Sequence, residues 1–109
     1  SAITVGATAE GDDRASFSNH GSCVNIFAPG AKIVSAWITS DSALETLWGT
    51  SMSAPLVSGV VARYLEEHSK SSPAEAASSI MCGATSGVVA NLPADNGKVP
   101  VPSSEVIGT

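Results

Sequence analysis

A mixed α and β fold is predicted by three observations. Up to Leu47 the chain holds short runs of β-branched and small residues separated by Gly, Pro, Asn and Asp. From Ser51 the apolar residues recur at helical rather than strand-like spacing. At Ser72 the signals of a second helix start stand together. Only 14% of the 109 residues are charged, against about 25% in an average soluble domain, and Ala, Ser, Gly and Val dominate. Such a composition suits tight packing inside a larger body, so the chain is expected to be part of a domain.

The opening "AITVGA" predicts a short buried strand that breaks into the polar turn of "TAEGDD". "RASFSNHGSC" is irregular, "VNIFA" a second strand, and Pro29-Gly30 predicts a type II turn in which Gly30 supplies the positive φ. "KIVSAW" and "LETLW" predict two further strands around "ITSDSA". Val57, Val60, Val61, Tyr64 and Leu65 then fall at i, i+3, i+4, i+7 and i+8, one face of a helix. Pro55 is tolerated only near a helix start, so this helix begins close to Ser51. The second helix, about 72–83, has Ser72 as N-cap, Pro73 in its first turn, Glu75 closing a capping box and Gly83 as its stop. The tail 86–109 is rich in Pro, Gly and Asn and is expected to wrap the surface and fray.

Ten acidic and five basic residues give a net charge of −5 with no basic stripe, so a nucleic-acid partner is not expected. No apolar run approaches the roughly 20 residues of a membrane helix, and no membrane partner is expected. The chain opens on "SAITVGA" with no charged leader, so its natural start is expected upstream. Cys23 and Cys82 form no CxxC or Cys/His cluster, and no residue is assigned to a metal. They are left to pair with each other, with cysteines outside the chain, or not at all.

"WGTSMSAP" places Ser51 between a glycine-threonine turn and the apolar helix. A hydroxyl there is either a helix cap at Thr50 or Ser51, or a nucleophile. A nucleophile needs a base and donors aimed at a developing oxyanion, and a helix N-terminus offers free N–H groups and a positive dipole end for the latter. Gly49 permits a sharp entry, and the small residues around Ser51 let a substrate backbone approach.

"GTSMSAP" resembles the nucleophile motif of the subtilisin-like serine proteases, Gly-Thr-Ser-Met-Ala-[Ser/Thr/Ala]-Pro. It is distinct from the Gly-x-Ser-x-Gly elbow, since Ser53 stands where the second glycine would be. "ITVGAT", "RASFSNHGSCVNIFAPGAKIVSAW" and "GTSMSAPLVSGVVARYL" follow in the order and spacing of the proteinase K-like and aqualysin-like branch, covering Ala2 to Ala84. The resemblance implies an α/β fold, a parallel sheet flanked by helices. It also implies a serine endopeptidase working through an acyl-enzyme on Ser51, with Gly49 and Thr50 forming the nucleophile turn and the Ser51 N–H an oxyanion donor.

In that family the triad runs Asp, His, Ser. The chain is then expected to be the C-terminal part of one peptidase domain, with the nucleophile region at 45–68, and inactive alone. Asp12, Asp13, Asp41 and Asp95 lack the family's Asp-[Ser/Thr]-Gly context and are taken as solvated loop carboxylates. His20 sits in "HGS", an echo of the family's His-Gly-Thr, but the following residues depart from it; His20 is taken as a loop residue and His68 as solvent-facing.

The chemistry requires no cofactor. Structural calcium stays open, because Asn25 stands where relatives often carry a ligating Asp. The implied partners are a protein or peptide substrate and an N-terminal propeptide inhibitor, and the implied location is extracellular. Cys23 matches a position that pairs with an upstream cysteine in the aqualysin-like branch, whereas Cys82 is expected to be a buried thiol. Trp48 replaces Asn or Ser beside the place of substrate residues beyond the scissile bond; it either alters specificity or fills a packing gap. Leu56 stands where a His commonly follows the Pro. The rival reading is a non-catalytic subtilase-like binding or structural module, distinguished by whether Asp and His motifs are intact upstream.

Overall fold

Four strands, a 3-10 turn and two helices are built from these signals in a computed structural model that describes residues 2–92. β1 (Val5–Thr8) and β2 (Ile26–Pro29) pair in parallel, with Val5 opposite Ile26 and Thr8 opposite Pro29. A parallel pair is covered on both faces, and Gly6, Ala7, Thr8, Ile26, Phe27 and Ala28 are all buried. Alternation along β2 divides the core. Phe27 packs with Val24 and Val89 on one side, while Ile26 and Ala28 meet Val57 on the other, extended by Ile3, Val5, Val61, Ile80 and Ala84. The small residues of β1 leave room for this packing: a Cβ on Gly6 would lie 2.6 Å from Phe27 Cδ1.

β3 (Ile33–Ala36) and β4 (Leu44–Leu47) form an antiparallel hairpin, with Ile33 opposite Leu47. Its Val34, Ile38 and Leu44 side chains are exposed. α1 (Thr50–Glu67) lies against both parallel strands, and α2 (Pro73–Cys82) lies against α1. The start of α2 follows the prediction in detail. Ser72 Oγ accepts from the Glu75 N–H at 3.2 Å, the Glu75 carboxylate accepts from the Ser72 N–H at 2.7 Å, and Pro73 opens the helix.

Three expectations change. Pro29-Gly30 is not a type II turn, because Gly30 is not among the positive-φ residues. Pro29 is instead the last paired residue of β2, and the Gly30 N–H carries the pairing on to Thr8 O at 3.0 Å. Gly30 is needed for close approach rather than for turning. Cys82 is exposed, not buried: the inward stripe of α2 runs through Ala76 and Ile80, and a residue two further along points elsewhere. Cys23 is exposed as well, and among the described residues neither cysteine has a disulfide partner.

The first part of the tail is pinned rather than frayed. Val89 is buried, Arg14 N–H donates to Ala90 O and Ala90 N–H to Asp12 O, both at 3.0 Å. Arg14 Nε and the Asn91 amide add bonds to Asn91 O and Asp13 Oδ1. Asp95 and the rest of the predicted tail, 93–109, lie outside the described residues.

Candidate active site around Ser51

Ser51 is the second residue of α1, and neither it nor Thr50 is the cap. The N-cap is Gly49, at φ 147° and ψ 160°, a conformation that side-chain-bearing residues rarely adopt. No side chain caps the helix, and its first turn holds no acidic residue. The positive end of the helix dipole is therefore left uncompensated at Ser51. Met52 N–H reaches back to Gly49 O at 3.0 Å, but among the described residues neither the Ser51 N–H nor its hydroxyl has a partner. Pro55 has no N–H to donate to the Ser51 carbonyl, so that group too is excused from the regular helical ladder.

What fixes this bare helix end is the carboxyl end of β2. Gly49 N–H donates to Gly30 O at 2.8 Å, and Ser53 Oγ, wholly buried, donates to Pro29 O at 3.1 Å. Gly30 makes the approach possible. A Cβ there would run into the Ser53 hydroxyl, and would lie 2.6 Å from Ala7 Cβ and 2.8 Å from Gly49 O. A Cβ on Gly49 would come within 3.1 Å of Ser51 Oγ, so glycine also keeps the space beside the hydroxyl open. Sequence reasoning missed Gly30 and Ser53 as the residues that position Ser51. A signal existed: Ser53 precedes buried Val57 by four, which places a hydroxyl on the inward face of α1.

No base from within the described residues serves Ser51. α1 is 18 residues long, so His68 at its C-cap lies roughly 25 Å from Ser51 at the helical rise per residue. His68 instead stacks on Tyr64, ring centroids 4.3 Å apart, with Nδ1 3.1 Å from Tyr64 O. His20 is exposed in the loop before β2, and Asp41 is exposed in the hairpin loop. Asp13 accepts the Asn91 amide, and Asp12 adopts a left-handed backbone at φ 60°. Asn25 closes the start of the parallel pair: its Oδ1 accepts from Thr4 N–H at 2.8 Å, and its own N–H donates to Thr4 O at 2.9 Å.

Trp48 is 57% exposed and fills no gap among the described residues. It lines a cleft of about 710 Å³ with the 8–12 turn, Pro29, Ala31 and Lys32, and the Lys32 ammonium lies 5.9 Å from the indole centroid. Leu56 is exposed on α1.

Comparison with known proteins places this arrangement in context. The model of the subtilase family matches residues 1–99. The chain is 51% identical over 90 residues to "Extracellular serine proteinase" of Thermus sp. (strain Rt41A), covering 83% of this chain and 22% of that protein. It is 49% identical over 87 residues to "Alkaline serine exoprotease A" of Vibrio alginolyticus, covering 80% and 16%. The crystal structure of a cold adapted subtilisin-like serine proteinase superposes with a TM-score of 0.81 at 38% identity, over 95% of this chain and 35% of that one. The chain thus spans roughly a fifth of the length of these two curated relatives.

Proposed function

Because the chain belongs to the subtilase family and has the α/β fold of a subtilisin-like proteinase, we propose that it is the nucleophile-bearing, C-terminal part of a serine endopeptidase domain. Residues 45–68 carry the nucleophile turn and helix, 72–83 the second helix and 86–109 the tail. The observation that carries this reading is the state of Ser51, an exposed and unpartnered hydroxyl on an uncapped helix start that is braced from β2.

In the proposed reaction a histidine upstream of this chain, oriented by an aspartate, takes the Ser51 proton as Oγ adds to the peptide carbonyl. The Ser51 N–H, with the dipole of α1 behind it, donates to the oxyanion. Collapse breaks the C–N bond, the histidine gives its proton to the departing amine, and the acyl group remains on Ser51 Oγ. Water, deprotonated by the same histidine, then cleaves the ester and restores the hydroxyl. Gly49 and Thr50 shape the turn. The substrates are proteins or peptides; the name of the Thermus relative supports an extracellular location, and the three sequence blocks support the proteinase K-like branch.

The test is fluorophosphonate labelling of the full-length protein. Labelling at Ser51, lost in Ser51→Ala together with a fall in kcat on the order of 10^4- to 10^6-fold, is expected. Labelling that survives Ser51→Ala, or none in the parent protein, overturns the reading and leaves a non-catalytic module.

A further inference from the structure

The cleft beside Trp48 opens at the carboxyl ends of β1 and β2, where parallel α/β sheets place their ligands. We infer that it receives a cationic side chain of the peptide substrate, arginine above all, with Trp48 as the stacking wall and Glu10 and Asp12 as charge partners. This rests on the reading of Ser51 as nucleophile.

Four observations converge on it. Trp48 stands three residues before Ser51, so the two are joined by at most about 10 Å of extended chain. That separation is within the span of about three substrate residues on either side of the scissile bond. The indole is largely exposed, and the Lys32 ammonium at 5.9 Å already demonstrates that its face accommodates a cation. Pro29 and Ala31 give the cleft an apolar floor suited to the methylene stem of a long basic side chain. Two carboxylates, Glu10 and Asp12, line it against the single ammonium of Lys32, which favours an incoming cation over an anion.

The backbone supports a formed site. Asp12 and Lys32, at φ 60° and 53°, both hold left-handed conformations that are unfavourable for non-glycine residues, and both line this one cleft. Asp12 is held there from behind by the Ala90 N–H bond to its carbonyl.

The experiment uses the full-length protein and quenched fluorescent peptides carrying Arg, norleucine or Glu in turn at each of three positions on either side of the scissile bond. At one position kcat/KM for Arg is expected to exceed that for norleucine by about 5- to 10-fold, the combined size of an exposed cation–π contact and an exposed ion pair. The order then runs norleucine before Glu, and the preference shrinks as salt is raised. Each variant is scored by its own Arg-to-norleucine ratio, so losses of folding or of chemistry cancel. Trp48→Ala should lower that ratio to the part the ion pair supplies, about 2- to 3-fold, Lys32→Ala should raise it, and Glu10→Lys with Asp12→Lys should turn the preference to Glu. Fluorophosphonate labelling of the parent protein separates the two readings. With Ser51 labelled but Arg no better than norleucine at every position, the cleft assignment falls alone; with Ser51 unlabelled, both fall.

Discussion

α2 begins with free amides answered by its own side chains, whereas α1 begins with no side chain answering its amides and with its entry held from outside. At α2 the capping box of Ser72 and Glu75 and the leading Pro73 are all local, within four residues of sequence. At α1 a glycine is the cap, no acidic side chain faces the dipole, and the order comes from Gly30 and Pro29, whose carbonyls hold Gly49 and Ser53. The first helix start is built to stand by itself. The second kind of start gives up that local stability and leaves donors and positive potential available to something else, which is what an oxyanion requires.

The largest effect that could break this comparison is expected from Gly30→Ala. The added methyl collides with Ala7, Ser53 and Gly49 together, so unfolding free energy should fall by about 1–3 kcal/mol. Because the displaced groups position Ser51, kcat of the full-length protein should fall by at least about tenfold. A denaturant midpoint and a kcat both unchanged would show that β2 does not set the entry of α1.

Gly49→Ser comes next. In an ordinary helix, serine for glycine at the N-cap gains a few tenths of a kcal/mol. At φ 147°, with Ser51 Oγ 3.1 Å from the new Cβ, it should instead cost about 1–2 kcal/mol and lower kcat more than it alters KM. Thermal unfolding alongside steady-state kinetics distinguishes the two results.

At the other helix, Ser72→Ala should cost about 1 kcal/mol by loss of the cap, with kcat retained. This cap is also the pH-sensitive one. The Glu75 carboxyl is held below its ordinary value, first by the backbone N–H of Ser72 and then by its hydroxyl. A carboxyl depressed in the folded state contributes fully above its unfolded value, about 4.3, and the contribution fades as the pH falls through the lower folded value. Stability curves of the parent and Glu75→Gln should therefore converge in acid and separate near neutrality, the smallest of these effects because Glu75 is fully exposed.

Much of this was legible in the residues. The capping box of α2 appears letter for letter, since it involves groups three residues apart. Pro55 located the start of α1 because a ring that cannot donate must lie near a helix end. The three motif blocks carried the family and the α/β fold, and both hold. The misses share one cause. Gly30 was assigned to a turn by the local Pro-Gly signal, but the strand pairing with Thr8 and the crowding by Ser53 come from distant parts of the chain. The tail at Val88–Leu92 was expected to fray on composition, yet Arg14 and the pocket beside Phe27 hold it. Cys82 was expected inside because cysteine usually is, while the face that α2 presents to α1 was decided by its alanines and Ile80.

The sequence by itself determined the helix boundaries, the capping of α2 and the choice of Ser51 as the residue to watch, because each depends on neighbours within a turn or two. Only the tertiary structure decided that Ser51 is no cap, that Ser53 and Gly30 brace it, and that Trp48 stands exposed over a cleft with Lys32. Those facts depend on where β2 ends relative to α1, and that distance is set by the packing of Phe27, Ile26 and Ala28 against residues far away in the chain.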